Sequence, residues 1–339
     1  MRPGKRMATH VAFVSRHFTL MPGHDSCASP MFKTLVHADW STTPAKRWAV
    51  TATRFDGGWE VHDPRLVPPS DQFVDRLFEA TARGPVLAGF DFPIGLPSVY
   101  GEQTGLSDFR SALGQFGNGS WDRFYDVAES PTDISLERPF YPRRSSSEAR
   151  QAHLLTAHRV AMVDDLRRRC ERATPDRRAA CPLFWTLGGN QVGKAAIAGW
   201  QEIVGPALRR GGRLWPFDGT LQDLASAGGL VIAETYPAEA YGHLGIKFGP
   251  GESKRRQADR VTKAGTIADW AQRAGVQLDD AMAHIIRDGF GSGPAGEDRF
   301  DAALGLFGMI EVVTGRRAPG VPRDPAIARW EGWILGQIS

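Results

Sequence analysis

The chain has 339 residues, of which 42% are hydrophobic, with 41 Lys and Arg against 38 Asp and Glu. That length accommodates one large domain with insertions or two modest ones, with enough core to dispense with disulfides. A net charge of +3 excludes a protein coated in basic residues but leaves open a local patch that meets nucleic acid.

Cys27, Cys170 and Cys181 are widely spaced and odd in number. This pattern fits free thiols in a reducing compartment rather than a zinc ribbon. No run of about 18 apolar residues occurs, so no membrane span is expected, and the cytoplasm is the expected location. Residues 1–30 hold Arg, His, Gly and Pro without the apolar stretch of a signal peptide, and read as a tail or an over-extended start.

Lys33 to Trp40 reads as a buried strand ending in a carboxylate. Arg47 to Phe55 and Trp59 to His62 follow as strands around a Gly57-Gly58 turn, so the first three strands are expected to form an antiparallel meander. Phe73, Val74, Leu77 and Phe78 place a helix over 71–82. Pro85 to Phe92 is a continuous apolar run that suits a strand covered on both faces. Residues 98 to 228 read as a large, mainly helical insertion, with a long helix from about Ser146 to Arg172 and a Gly-rich loop leading into a helix over 192–208. Gly228 to Thr235 is another apolar strand ending in a carboxylate. Helices are then expected over 237–244, 253–274, 279–288 and 298–313. A single domain over 31–320 is expected, with 321–339 as a C-terminal extension.

Asp39, Asp91 and Glu234 share one setting, near the C-terminal end of an apolar strand. A carboxylate there is costly unless it is paired or binds a cation. Ligand sites of open α/β sheets lie at this edge. Asp298 and Asp301 are three apart, hence on one helical face, and read as first-turn residues favoured by the helix dipole. Carboxylates gathered without basic partners point to a hard divalent cation, Mg²⁺ or Mn²⁺, and to phosphodiester chemistry.

Several stretches carry a resemblance: HADWS (37–41), GFDFPIGLP (89–97), LGGNQVGKAAIAGW (187–200), RLWPFDG (213–219), AETYPAEAY (233–241) and the helix around Asp301-Ala302-Ala303. Together they resemble the family of uncharacterised domains numbered 429, described as predicted nucleases of ribonuclease H-like fold, over about Phe32 to Gly315. The resemblance implies a mixed sheet, three antiparallel strands followed by parallel ones, with helices on both faces. It also implies Asp39, Asp91, Glu234 and Asp301 as the acidic positions; these are expected to be the catalytic and metal-holding acids, and Asp298, on the same helical face as Asp301, is expected as an outer ligand. The insertion sets this chain apart from simple members. The family label leaves the substrate open.

Gly188 to Lys194 fits the GxxxxGK phosphate loop, but Ala195 stands where Ser or Thr would hold Mg²⁺. A Gly-rich turn before a helix, with Gln191 and Lys194 touching substrate phosphate, is the preferred reading. ADWST (38–42) is similar to the first phosphate loop of actin-like ATPases, but no duplicated core follows. His37 reads as a satisfied core histidine, and Trp185, Trp200, Trp215 and Trp270 as core. The Arg-rich runs, including Arg167 to Arg169 and Lys254-Arg255-Arg256, read as solvated faces. The expectation is a metal-dependent nuclease or phosphodiesterase acting on nucleic acid or a phosphorylated small molecule. The alternatives are a non-catalytic interaction module of the same fold and a nucleotide-phosphate enzyme of actin-like or P-loop type.

Overall fold

The computed structural model describes residues 31–145, 147–174, 177–187 and 192–338; the expected tail, Cys27 and Gln191 lie outside them. The chain is α/β, built on one mixed sheet. Its strands are β1 (Thr34–Asp39), β2 (Trp48–Phe55), β3 (Gly58–Val61), β4 (Arg65–Leu66), β5 (Val86–Phe90), β6 (Arg213–Leu214), β7 (Leu230–Glu234) and β8 (Val276–Leu278). They lie in the order β6-β7-β5-β1-β2-β3-β8, with β4 beside β2. β1, β2 and β3 form the antiparallel meander. β5 adds parallel to β1, β7 parallel to β5, β6 parallel to β7, and β8 parallel to β3.

The three central strands are buried along nearly their whole length, which explains their unbroken apolar sequences. Alternation assigns their side chains to two layers. Val36, Ala38, Val86, Ala88, Phe90, Leu230 and Ile232 face one core, whereas Leu35, Leu87, Val231 and Ala233 face the other.

The first core is closed by α1 (Ser70–Ala80), through Phe73, Val74 and Leu77, and by the long segment after β5. That segment carries α2 (Ser98–Gln103), α3 (Phe109–Gln115), α4 (Gln151–Ala157), α5 (Val192–Gly199), α6 (Gly205–Arg209) and α7 (Leu221–Ala227), of which α7 crosses to the second core through Leu224 and Ala225. It is not a separate body. Phe124, Phe140, Phe184 and Trp200 join the same cluster as Val36 and Ala88, and β6 within it forms the sheet edge. A π-turn over Trp200–Val204 links α5 to α6, where Pro206 supplies no N–H and its ring would crowd the carbonyl four residues back.

The helix expected over 146–172 does not form as one element. α4 stops at Ala157, Arg159 adopts φ 52°, and short 3₁₀ turns follow at Val163–Leu166 and Arg169–Glu171. The Asp165 carboxylate accepts the backbone N–H groups of Ala161 and Met162. This local bonding competes with continued helix.

The second core is closed by α8 (Pro237–His243), α9 (Gln257–Val261), α10 (Ala264–Ala274), α11 (Asp280–Arg287) and the 21-residue α12 (Gly293–Val313). α12 starts five residues earlier than expected. Asp298 and Asp301 therefore lie in its second and third turns, beyond the reach of the N-terminal dipole.

The C-terminal residues are part of the core rather than an extension. Trp330 and Trp333 are buried, Leu96 N–H donates to the Trp330 carbonyl at 2.7 Å, and Leu335 N–H donates to the Glu234 carbonyl at 2.9 Å. Gly95, at φ 147°, lies directly against the Glu331 carbonyl, a backbone approach that a Cβ would block.

A candidate acidic site at the carboxyl edge of the sheet

Register brings the first two acids together. His37 on β1 is paired with Gly89 on β5, so Asp39 and Asp91 arrive two residues later at the same edge and on the same face. That face is covered by α12, which supplies Asp301. Trp40 N–H donates to Asp91 Oδ1 at 2.6 Å, and the Asp39 and Asp91 carboxyls hydrogen-bond to each other. Two carboxyls so joined share a proton. Burial, followed by repulsion from Asp91 and Asp301, pushes Asp39 well above the usual carboxylate range. Burial pushes Asp91 up to about 6, against the restraining effect of the Trp40 N–H. Asp298 is pushed up to about 6 by burial and by the neighbouring Glu297 and Asp301 charges.

Asp301 is buried and receives two donors: the Tyr241 hydroxyl on Oδ1 and the Lys254 ammonium on Oδ2. Lys254 also lies 3.4 Å from Glu297. Burial raises Asp301, and Lys254 and then Tyr241 oppose that rise. Lys254 is thus the cation resident in the acidic group.

Glu234 does not join the three aspartates. It is paired with Phe90, whose ring faces the first core, so its side chain is on the opposite face from Asp39 and Asp91. There its two oxygens meet the fully buried Arg168 guanidinium at 2.6 and 2.7 Å, and Oε2 also accepts Ile94 N–H at 2.7 Å. Arg168 bridges to Glu171 at 2.9 Å. Glu331 completes the group by accepting Arg169 N–H at 2.7 Å and the Ser98 hydroxyl at 2.8 Å. The expected fourth metal ligand is therefore half of a buried ion pair. Its period-2 parity with Ile232 was the available signal, since alternation puts Glu234 and Asp91 on different faces.

Asp91, Asp301 and Glu234 line a cleft of about 930 Å³. Its walls come from Trp40 to Thr43, Lys46, Arg168, Cys170, Glu171, Arg177 to Cys181, and Tyr236 to Ala238. Val192 and Ala195 of α5 also line it, whereas Lys194 does not. Leu183–Leu187 contributes only an isolated bridge, Trp185 to Tyr141, instead of the strand that a P-loop needs. His37 is a satisfied core histidine. Its ring nitrogens lie 2.9 Å from the Ala302 carbonyl and the Thr235 hydroxyl, and burial lowers it to about 4.

Arg168 and Lys254 sit in runs that read as solvated, and nothing local in the sequence separates them from their exposed neighbours. Among the described residues, no three carboxylate, imidazole or thiol groups are already arranged around a common point as metal ligands. No helix among them is long and apolar enough to cross a membrane. Comparison with protein-family models, curated proteins and solved structures finds no match to this chain.

Proposed function

We propose that this chain is a divalent-metal-dependent phosphodiester hydrolase of ribonuclease H-like fold, a nuclease or phosphodiesterase, working in the cytoplasm. The observation that carries the reading is the convergence of Asp39, Asp91 and Asp301, from two adjacent parallel strands and one helix, on one buried group. Burial first, and repulsion between the carboxylates after it, raises all three above the usual carboxylate range. The fold reading is supported by the order β3-β2-β1-β5-β7, with an antiparallel meander leading into parallel strands.

The donor set fits Mg²⁺ or Mn²⁺: the four aspartates offer only hard oxygens, buried or half-buried, and Lys254 is the cation they already hold. Asp39, Asp91 and Asp301 would hold the ion, with Asp298 as an outer ligand, once the Lys254 ammonium leaves Asp301. When bound, a divalent ion supplies polarisation of a phosphate oxygen and a more acidic water. The protein's own groups do the remainder. Trp40 N–H fixes Asp91, and Tyr241 fixes Asp301. Lys254, released from Asp301, stays within the cleft to meet phosphate charge. Lys46 and Arg178 face the same cleft and suit phosphate contacts. Arg168 holds Glu234 and so braces the end of β7 against the C-terminal segment.

Titration of Mn²⁺ by calorimetry tests the reading. Wild type is expected to bind at sub-millimolar concentration, with at least a tenfold loss in Asp39→Asn. Asp39→Asn is also expected to abolish Mn²⁺-dependent cleavage with its melting transition intact. A second reading, a non-catalytic interaction module, draws on the Lys254–Asp301 and Arg168–Glu234 pairs, which already compensate much of the charge. Absence of Mn²⁺ and Mg²⁺ binding to wild type decides for that module.

A further inference from the structure

Tyr236 stands out in the cleft. Among the described residues it is the one Phe, Trp or Tyr that is exposed, 43% open, whereas the others are buried or half-buried. It lines the cleft beside Glu234 and Asp301. Its backbone is restrained: it is the residue before Pro237 at the start of α8, two positions after a carboxylate clamped by Arg168. An exposed ring on such a backbone, lining an acidic cleft, is a surface on which a flat base can stack.

Charge and size narrow the occupant. Lys46 and Arg178 line the same cleft; neither forms a salt bridge or side-chain hydrogen bond with a described residue, although the Lys46 charge acts on Asp298, and both can turn to phosphates. Arg177 differs, since its guanidinium is tied to the Cys170 carbonyl at 2.6 Å. Of the aspartates that line the cleft, Asp301 is 8% exposed and Asp91 is half-buried. A phosphodiester must enter the cleft to reach them. The volume of about 930 Å³ is at the upper end of the roughly 300–1,000 Å³ typical of pockets that enclose a small molecule. That is room to enclose a few nucleotides of one strand, and a duplex of the same length would need about twice the space.

We infer that the cleft receives a single polynucleotide strand, with one base laid on Tyr236 and the adjacent phosphates met by Lys46 and Arg178. This deepens the phosphodiesterase reading by naming the form of the substrate. Binding itself does not depend on a metal.

The test is fluorescence polarisation with the wild-type chain in EDTA, which prevents metal-dependent cleavage. The probes are a labelled oligothymidylate, the same strand carrying abasic sites, and a blunt duplex of equal length. The expected result is single-strand binding at least tenfold tighter than duplex binding. Tyr236→Ala is expected to weaken it about tenfold, the scale of one stacked base, whereas Tyr236→Phe keeps it. The abasic strand should bind wild type as weakly as Tyr236→Ala does, and lose nothing further in that variant. Arg178→Ala should shallow the salt dependence by about one unit. Duplex binding as tight as single-strand binding, Tyr236→Ala binding like wild type, or no binding of any strand overturns the inference. Single-strand binding that passes these tests, in a protein that binds no Mn²⁺, would retain the inference and sink the catalytic reading.

Discussion

The proton shared by Asp39 and Asp91 makes stability and function oppose each other at the scale of single residues. A carboxyl raised in the folded state stabilises that state below its unfolded value and loses the contribution as pH rises through the folded value. For Asp91, and for Asp298, the window runs from the ordinary carboxylate range up to about 6. The metal-free protein is therefore expected to lose stability from about pH 4 to pH 6 on account of this group. Asp91→Asn keeps an oxygen for the Trp40 N–H and removes one charge. It should raise the melting temperature at pH 7 by about 2–4 °C, a gain of about 1–2 kcal/mol, and flatten that part of the pH profile. Calorimetric melting across pH 4 to 8 checks this, and an unchanged or lower melting temperature at pH 7 would contradict the repulsion argued for the site. Such a gain on losing a functional group is the familiar trade between stability and activity. At this scale the sequence placed the aspartates near one edge. It could not name Lys254 or Arg168, because an ion pair between distant segments leaves no periodic trace in either one.

Elements meet through α12, whose small residues let it lie close on β1. A Cβ at Gly305 would collide with the His37 ring, which is itself held by the Ala302 carbonyl and the Thr235 hydroxyl. Gly305→Ala must either displace that ring or lift the helix that carries Asp301. Overpacking of this kind costs about 1–3 kcal/mol. The urea midpoint should fall accordingly with the slope unchanged. A midpoint equal to wild type would show that the helix has slack at this contact. The legible elements were those with a strong local signal. β1, β5 and β7 are unbroken apolar runs, and α1 buries Phe73, Val74 and Leu77 at helical spacing. β4, β6 and β8 span two or three residues each, too few to show a period, and exist only because a neighbouring strand offers unpaired backbone. The helix read over 146–172 failed for a related reason: side chains such as Asp165 satisfy the backbone locally and stop propagation.

Across the whole molecule, the C-terminal segment locks the two layers together. Trp330 packs onto Gly101 of α2, Glu331 caps the Arg169 amide and binds Ser98, and Ile334 forms a bridge to Glu234. A chain ending at Gly320 would leave Arg168 and its acids without their cover and open the core beside Gly101, Ile94 and Phe217. It is expected to lose its cooperative thermal transition and to be cut rapidly by protease, where the full chain resists. A truncated chain that melts cooperatively near the wild-type temperature would show instead that these residues only decorate the core.

By itself the sequence determined the α/β class, the meander, the buried central strands and the position of three aspartates at strand and helix edges. Apolar periodicity and burial are local properties, and they are written in consecutive residues. Tertiary structure alone decided which acids share a site. Strand parity turned Glu234 toward Arg168 and away from Asp91, and the chain's return brought Lys254 to Asp301 and the C-terminal segment under Glu234. Charge compensation between segments far apart in the chain is set by how the layers pack, so it becomes visible only once they have done so.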